Sequence, residues 1–480
     1  MIELNNVSFA YEGQENCIHN VNLTIRQGEC VVLVGRSGNG KTTLTRIING
    51  LAPAYYRGTL TGEVKINGKD IREYRDWERA KAIGNVFQDP KSQFFSGELV
   101  GEVAFACENL GYGKEAIKKR TDKTIAEMGL TYIKSRRLDV LSSGEKQKVA
   151  IASVRVVEPQ IYVFDEPSAN LDGQASLKLT ETMRQFKQQG YTLVISEHRL
   201  AYLTGIADRF VYIENGKIIR SYTAKELMAL DEGARKEMGL RIPFPYIHAG
   251  LPVPRKDNTN RPLLTLENVS YRAKKQQILS SISFSACSGQ IVAVTGQNGV
   301  GKTTLAKVIC GLKKESGGAL FVKGKKVPAR KRWQNVWYSS NDINTQLFTN
   351  SVEDELLLQS RNGNDIEAAR NILKDFDLYE YRSCHPQALS GGQKQRLSIA
   401  CGLLSGREIL IFDEPTSGLD GENLVRVAGA FKNAAKDGKA IILITHDNEL
   451  MKECCTHSLS LIHISFSAKK NRFVKRFFCI

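Results

Sequence analysis

The chain has 480 residues, 42% of them apolar and 25% charged, the balance of a globular protein too long for one hydrophobic core, so two domains of ordinary size are expected. No stretch approaches the roughly 18 to 20 uninterrupted apolar residues of a membrane-spanning helix, and the opening MIELNNVSFAYEG enters a strand pattern without a signal-peptide core; folding in the cytosol is expected. The formal net charge of +16 does not by itself choose between nucleic acid, an anionic surface and a phosphate ligand, and ten cysteines without a C-x-x-C pair are expected to be structural thiols.

In chain order, IELNNVSFAY (2–11) opens a strand-rich segment, and CVVLVG (30–35) is an apolar strand running into the Gly-rich GRSGNGKTT, Gly35 to Thr43. A helical middle holds VFQDPKSQFF (86–95) and LSSGEKQKVA (141–150). IYVFDE (161–166) reads as a buried strand ending on paired carboxylates, TLVISEH (192–198) as another ending near a histidine, and RFVYIENGKIIRSY (209–222) as a hairpin around Asn215-Gly216. Five of the twelve prolines, Pro243, Pro245, Pro252, Pro254 and Pro262, then mark a semi-rigid connector.

Beyond the connector the same unit returns. LLTLENVSY repeats the opening, IVAVTG runs into GQNGVGKTT at Gly296, and LSGGQKQRLS follows from Leu389; EILIFDE and AIILITH then repeat the two strands. The offset is 261 at the Gly-rich loop and 248 at Asp165/Asp413 and His198/His446, as a shorter middle in the second copy would produce. Strands alternating with helices imply an α/β fold, with a parallel sheet in each copy and ligands at its strand C-terminal ends. The expected domains are 1–228 and 263–463, with a connector at 229–262 and a basic aromatic tail at 464–480. In that tail Lys469, Lys470, Arg472, Lys475 and Arg476 interleave with Phe473, Phe477 and Phe478. No turn signal follows Leu459 and Leu461, so the duplication breaks down there.

The pattern G-x-x-x-x-G-K-T wraps backbone N–H groups around phosphates and aims a helix N-terminus at them. It makes Gly35, Ser37, Gly38, Gly40, Lys41, Thr42 and Thr43 candidate ATP ligands, together with Gly296, Asn298, Gly299, Gly301, Lys302, Thr303 and Thr304. Lys41 and Lys302 suit the β- and γ-phosphates, and Thr42 and Thr303 suit Mg²⁺. Asp165 and Asp413, at strand ends, suit the Mg²⁺ shell; Glu166 and Glu414 stand where a general base could polarise the attacking water.

The order of P-loop, LS-G motif, DEP box, D-loop and histidine resembles ABC-type ATPases over nearly all of both halves. That resemblance implies two tandem P-loop ATPase domains, each a mainly parallel core sheet with an antiparallel β subdomain and a helical subdomain. It also implies ATPs sandwiched head to tail, with Ser142 and Gly144 serving the C-terminal P-loop and Ser390, Gly391 and Gly392 the N-terminal one. His198 and His446 match the family's γ-phosphate histidine, Asp172 and Asp420 its D-loop, Gln88 its Mg²⁺- and water-sensing glutamine, and Tyr11 its adenine-stacking aromatic.

The copies differ at three of these places. Asn341 aligns with Gln88 when Gln346 is set on Gln93; Ala273 aligns with Tyr11; and Ser143 and Glu145 stand where the second signature has Gly391 and Gln393. In a head-to-tail pair all three departures fall on the site of Lys302, so the site of Lys41 is expected to hydrolyse faster, with Tyr271 or Arg272 as alternative stacking groups in the other.

QDPKSQFFSGELVGEVAFACENLG resembles the Q-helix region of energy-coupling factor ATPases, which power vitamin and metal uptake, and NDINTQLFTNSVEDELLL repeats it loosely. By that resemblance Gln93, Phe94, Phe95, Gln346, Leu347 and Phe348 line a groove for a transmembrane coupling subunit, which small substrate-capture membrane subunits accompany. The chain would then be peripheral at the cytoplasmic face of the membrane, with no nucleic-acid partner. Fused sugar-import ATPases, and soluble ATPases of this type acting on ribosomes or nucleic acid, are the alternatives.

Overall fold

The computed structural model describes residues 1–13, 15–169, 171–244, 262–274, 276–360 and 365–461. The chain divides into two compact units, Met1–Pro245 with Gly418–Glu422, and Tyr246–Ser417 with Asn423–Ile480.

In the first unit, β1 (Ile2–Tyr11), β2 (Asn16–Ile25), β4 (Gly58–Ile66) and β5 (Lys69–Asp70) form an antiparallel sheet in the order β2-β1-β4-β5. Beside it lies a six-stranded sheet of β3 (Cys30–Val34), β6 (Ile83–Val86), β7 (Ile161–Asp165), β8 (Thr192–Ser196), β9 (Arg209–Glu214) and β10 (Lys217–Tyr222). Its order is β10-β9-β3-β8-β7-β6, parallel except for β10, which returns through the Asn215-Gly216 turn with both residues at positive φ.

β3 shows why this sheet is covered on both faces. Every one of its residues is buried, and successive side chains point to opposite sides. Cys30, Val32 and Val34 join the cluster formed with helices Leu99–Asn109, Ser143–Arg155 and Gly173–Gln188; Val31 and Leu33 join that of the antiparallel sheet and helix Lys41–Ile48. Full burial of each such aliphatic side chain contributes about 1.5–3 kcal/mol.

The second unit repeats the plan. β11 (Pro262–Ala273), β12 (Gln276–Cys287), β14 (Gly317–Val322) and β15 (Lys325–Lys326) pair antiparallel as β12-β11-β14-β15. β13 (Ile291–Thr295), β16 (Val336–Ser339), β17 (Ile409–Asp413), β18 (Ala440–Ile444) and β19 (His457–Ser460) form a parallel sheet in the order β16-β17-β18-β13-β19. Among the described residues this sheet ends at β19, without a counterpart of β10.

The stretch read as connector, 229–262, contains a helix, Glu232–Glu237, whose N-terminus Asp231 caps; its prolines begin only at Pro243, so nothing opposes helix before that. Residues 245–261 and the tail 464–480 lie outside the described residues. Of the described cysteines, Cys30, Cys107, Cys287, Cys310, Cys401 and Cys454 are buried, but Cys384 is exposed and Cys17 and Cys455 are half-buried; all of them are free thiols.

Candidate functional site

In each unit the Gly-rich loop leaves the end of a buried central strand. Gly35 has φ 144°, and a Cβ there would sit 2.2 Å from the Ile213 carbonyl oxygen, so only glycine lets the loop turn against β9. Gly40, left-handed at φ 92°, starts helix Lys41–Ile48 with no side-chain cap and no acidic residue in its first turn. The helix N-terminus is thereby left to accept an anion. Gly296 and Gly301 repeat this ahead of helix Lys302–Ile309. Gly38 and Gly299 shape the loop tips, both at φ 83°.

The loop lysines fold back over their own loops. Lys41 Nζ donates to the carbonyls of Gly35 and Arg36, both at 2.8 Å, and burial lowers its pKa against the opposing pull of Glu166, Asp165 and Glu197. Lys302 Nζ donates to Gly296 O at 2.7 Å and Gln297 O at 3.2 Å, with Asn298 Oδ1 3.5 Å away. Ser37, at the place of Asn298, is half-buried.

The carboxylates meet these loops from the neighbouring strand. Thr42 Oγ1 donates to Asp165 Oδ1 at 3.1 Å, and Thr303 Oγ1 to Asp413 Oδ2 at 2.6 Å, so each hydroxyl–carboxylate pair is assembled as a hard cation would need it. Burial and then the Glu166 charge push Asp165 up to about 6; burial raises Asp413 as well. A carboxylate held this way gains from a divalent cation, which supports a fit to Mg²⁺ at Thr42 and Asp165 and at Thr303 and Asp413.

The next residue turns sharply out of the strand. Glu166 and Glu414 have φ 43° and 54°, uncommon for residues with a Cβ, and their N–H groups are held by Ser196 O at 2.9 Å and Ile444 O at 2.8 Å. Both carboxylates are thus aimed off the strand end by fixed backbone. Gln88 Nε2 donates to Glu166 Oε2 at 2.8 Å, and His198 Nε2 stands 3.3 Å from Glu166 Oε1. The second unit departs from this: Asn341 is exposed, and His446 Nε2 lies 2.8 Å from Lys302 Nζ and 3.2 Å from Asn298 Oδ1, with Glu414 Oε1 at 3.7 Å.

Strand register supports these equivalences. Val86 faces Phe164 and Ser339 faces Phe412, which places Gln88 and Asn341 at matching distances past their strands. Val7 faces Val21 and Val269 faces Ile282, so Ala273 corresponds to Tyr11 and Tyr271 to Phe9. The Tyr11 hydroxyl sits 3.1 Å from Thr43 Oγ1 and accepts from Arg46 at 3.0 Å; Thr304, matching Thr43, is half-buried. Tyr271 packs against its own core under the Lys313 ammonium, and Arg272 bonds Gln277.

The signature serines are helix caps. Ser142 Oγ accepts the Glu145 N–H and Ser390 Oγ the Gln393 N–H, each at 3.3 Å, in reciprocal capping boxes. The copies differ in charge: Glu145 Oε2 accepts from both the N–H and the hydroxyl of Ser142 at 2.8 Å, so that helix N-terminus already holds a carboxylate. Gly144 packs so closely that a Cβ would lie 2.9 Å from Ala175 Cβ, and Gly391 and Gly392 begin helix Gly391–Leu404. Asp172 caps helix Gly173–Gln188 through the Ala175 N–H; Asp420, at the matching position, is buried.

In the Q-x-F segments the six candidates have separate fates. Gln93 and Gln346 turn inward, donating to Ala150 O and Tyr338 O, both at 3.1 Å. Phe94 and Leu347 pack against or within the core. Phe95 and Phe348 stand out at 75% and 67% exposed. Two buried acids that the sequence reading passed over fix this geometry: Glu102 Oε2 accepts the N–H groups of Phe95 and Ser96 at 2.8 Å, and Glu355 Oε2 those of Phe348 and Thr349 at 3.0 Å. The signal was an acid seven residues after the outward aromatic in both copies.

The model of the ABC transporter family matches residues 18–169 and 279–417. A protein of Treponema denticola provisionally named an ABC transporter ATP-binding protein is 39% identical, over 96% of this chain and 95% of its own. A provisionally named HMP/thiamine import ATP-binding protein of Bacillus subtilis is 30% identical, over 94% and 88%. A structural description of ribosome-bound archaeal Pelota and ABCE1 aligns at a TM-score of 0.68 over 94% of this chain and 76% of that one; at 22% identity this likeness shows the fold alone.

Proposed function

The chain belongs to the ABC transporter family of ATP-binding proteins, and we propose that it powers a membrane importer of the energy-coupling factor type, for a vitamin, metal ion or other micronutrient. The observation that carries this reading is the pair of outward aromatics, Phe95 and Phe348, each largely exposed on backbone held by a buried glutamate, with the Phe95 ring stacked on half-buried Phe105. An apolar ring displayed on fixed backbone in both copies suits helices of a transmembrane partner. The import function in the Bacillus subtilis relative's name is consistent with this. The chain itself would sit at the cytoplasmic face of the membrane, with substrate recognition left to small membrane subunits.

In the proposed reaction, Lys41 and the N-terminal end of its helix neutralise the phosphates, and Glu166 accepts the proton of the attacking water while His198 and Gln88 hold that carboxylate's orientation. Thr42 with Asp165, and Thr303 with Asp413, would hold Mg²⁺, which would supply charge neutralisation at the phosphates. Two head-to-tail sites completed by Ser142 and Gly144 and by Ser390, Gly391 and Gly392 follow from the family arrangement. The exposed Asn341, the absent stacking ring at Ala273 and the carboxylate of Glu145 support a slower Lys302 site.

Affinity capture of the full chain from membranes tests the reading. Recovery of a multi-spanning protein with small membrane subunits is expected, and recovery of ribosomes instead would overturn it.

A further inference from the structure

Glu197 lies beside the candidate histidine yet has no part in the proposed chemistry. It is buried, and both carboxylate oxygens are engaged: Oε1 accepts the hydroxyls of Ser168 and Tyr202, the latter at 2.7 Å, and Oε2 accepts the backbone N–H of His198 at 2.8 Å. Ser168 lies two residues beyond Glu166. One carboxylate thus ties the segment carrying the candidate base to the segment carrying the histidine.

The second unit makes the same tie from another place. Position 445, equivalent to Glu197, is threonine, and position 447, equivalent to Arg199, is Asp447. Asp447 is buried; its Oδ2 accepts the Thr416 hydroxyl at 2.6 Å, and Thr416 is the equivalent of Ser168. Its Oδ1 accepts the N–H groups of Glu449 and Leu450, and its own N–H bonds Thr445 Oγ1 at 3.0 Å. Position 450 is leucine where the first unit has Tyr202, so the phenol is present only in the unit whose carboxylate engages it. A buried carboxylate without partners is costly, so relocation that keeps the hydroxyl two residues past the candidate base as a partner points to a requirement for the tie and not for the residue number.

We infer that Glu197 is a positioning residue for the Glu166–His198 pair, and that Asp447 does the same work in the second unit. This rests on the reading of Glu166 and His198 as hydrolytic groups. Loss of the tie leaves the Glu166 N–H bond to Ser196 O as the backbone link between the two segments and loosens the histidine against the Glu166 turn, and a misplacement of about 1 Å costs on the order of 100-fold in rate.

The test uses the full chain carrying Glu414→Gln, so that turnover reports the first unit. Glu197→Ala is expected to lower kcat about 10- to 100-fold with KM for ATP within about twofold. The triple variant Glu197→Thr, Arg199→Asp, Tyr202→Leu copies the second unit's arrangement and is expected to restore kcat to within about threefold. Unchanged kcat in Glu197→Ala overturns the inference, as does a triple variant that melts cooperatively and binds ATP but stays slow. Should Glu197→Ala not fold, the triple variant decides alone. Glu166→Gln in the same background separates the two layers: retained turnover there overturns the underlying assignment, whereas lost turnover with an indifferent Glu197 overturns only the positioning role.

Discussion

Replacing Asp165 by asparagine is expected to stabilise the nucleotide-free chain while abolishing hydrolysis at that site. The carboxyl is raised from 3.8 to about 6 by burial and by the adjacent Glu166 charge. A shift of that size corresponds to about 3 kcal/mol of destabilisation of the ionised folded state, and the partial exposure of the side chain reduces the expected effect to about 1–2 kcal/mol. Below about pH 4 the carboxyl is neutral folded and unfolded, and the penalty is absent; it grows between about pH 4 and 6 and is constant above. The amide of the replacement would keep an oxygen for the Thr42 hydroxyl, so the substitution removes charge with little loss of contact. Urea denaturation without nucleotide or Mg²⁺ should therefore show Asp165→Asn more stable than the parent at about pH 7.5 and equal to it near pH 4. A variant less stable at about pH 7.5, or equally stabilised at both pH values, would refute the electrostatic account.

Gly35→Ala should abolish ATP binding, because its Cβ would lie 2.2 Å from the Ile213 carbonyl; equilibrium binding to a fluorescent ATP analogue measures this, and parental affinity would contradict it. Glu102→Ala leaves the N–H groups of Phe95 and Ser96 without their acceptor, and a loss of about 2–4 kcal/mol is expected in urea unfolding, with a loss under about 0.5 kcal/mol arguing against the anchor. Phe95→Ala, at a side chain 75% exposed whose ring stacks on Phe105 with centroids 4.8 Å apart, should cost no more than about 1.5 kcal/mol of stability yet weaken capture of membrane partners at least about tenfold. Unweakened capture would remove the aromatic from the proposed interface.

Much of the candidate site was legible because the chemistry it suggests is local in sequence. The P-loops and the strand-borne carboxylates each need a short contiguous pattern, and the register of β6 against β7 and of β16 against β17 supports the Gln88–Asn341 equivalence read from spacing. What escaped depended on which way side chains turn. Gln93 and Gln346 look like partner-facing groups in sequence, but the 3₁₀ turns just before or over them point their amides at backbone carbonyls. For Glu102 and Glu355 the repeated spacing marks an acid without showing that it turns inward, and for Glu197 nothing local reveals that it accepts N–H and O–H groups in the interior. Helix Glu232–Glu237 lies ahead of the first of the connector's prolines, Pro243, and that proline is the local signal that separates it from the stretch that follows.

The central claim is that the two sites are unequal, with the unit of Lys41, Gln88, Glu166 and His198 hydrolysing faster. Steady-state ATPase rates of Glu166→Gln and Glu414→Gln in the full chain measure it directly. The account predicts that Glu166→Gln removes most of the activity, at least about 100-fold, and that Glu414→Gln leaves the larger part. Equal losses from the two substitutions would contradict it.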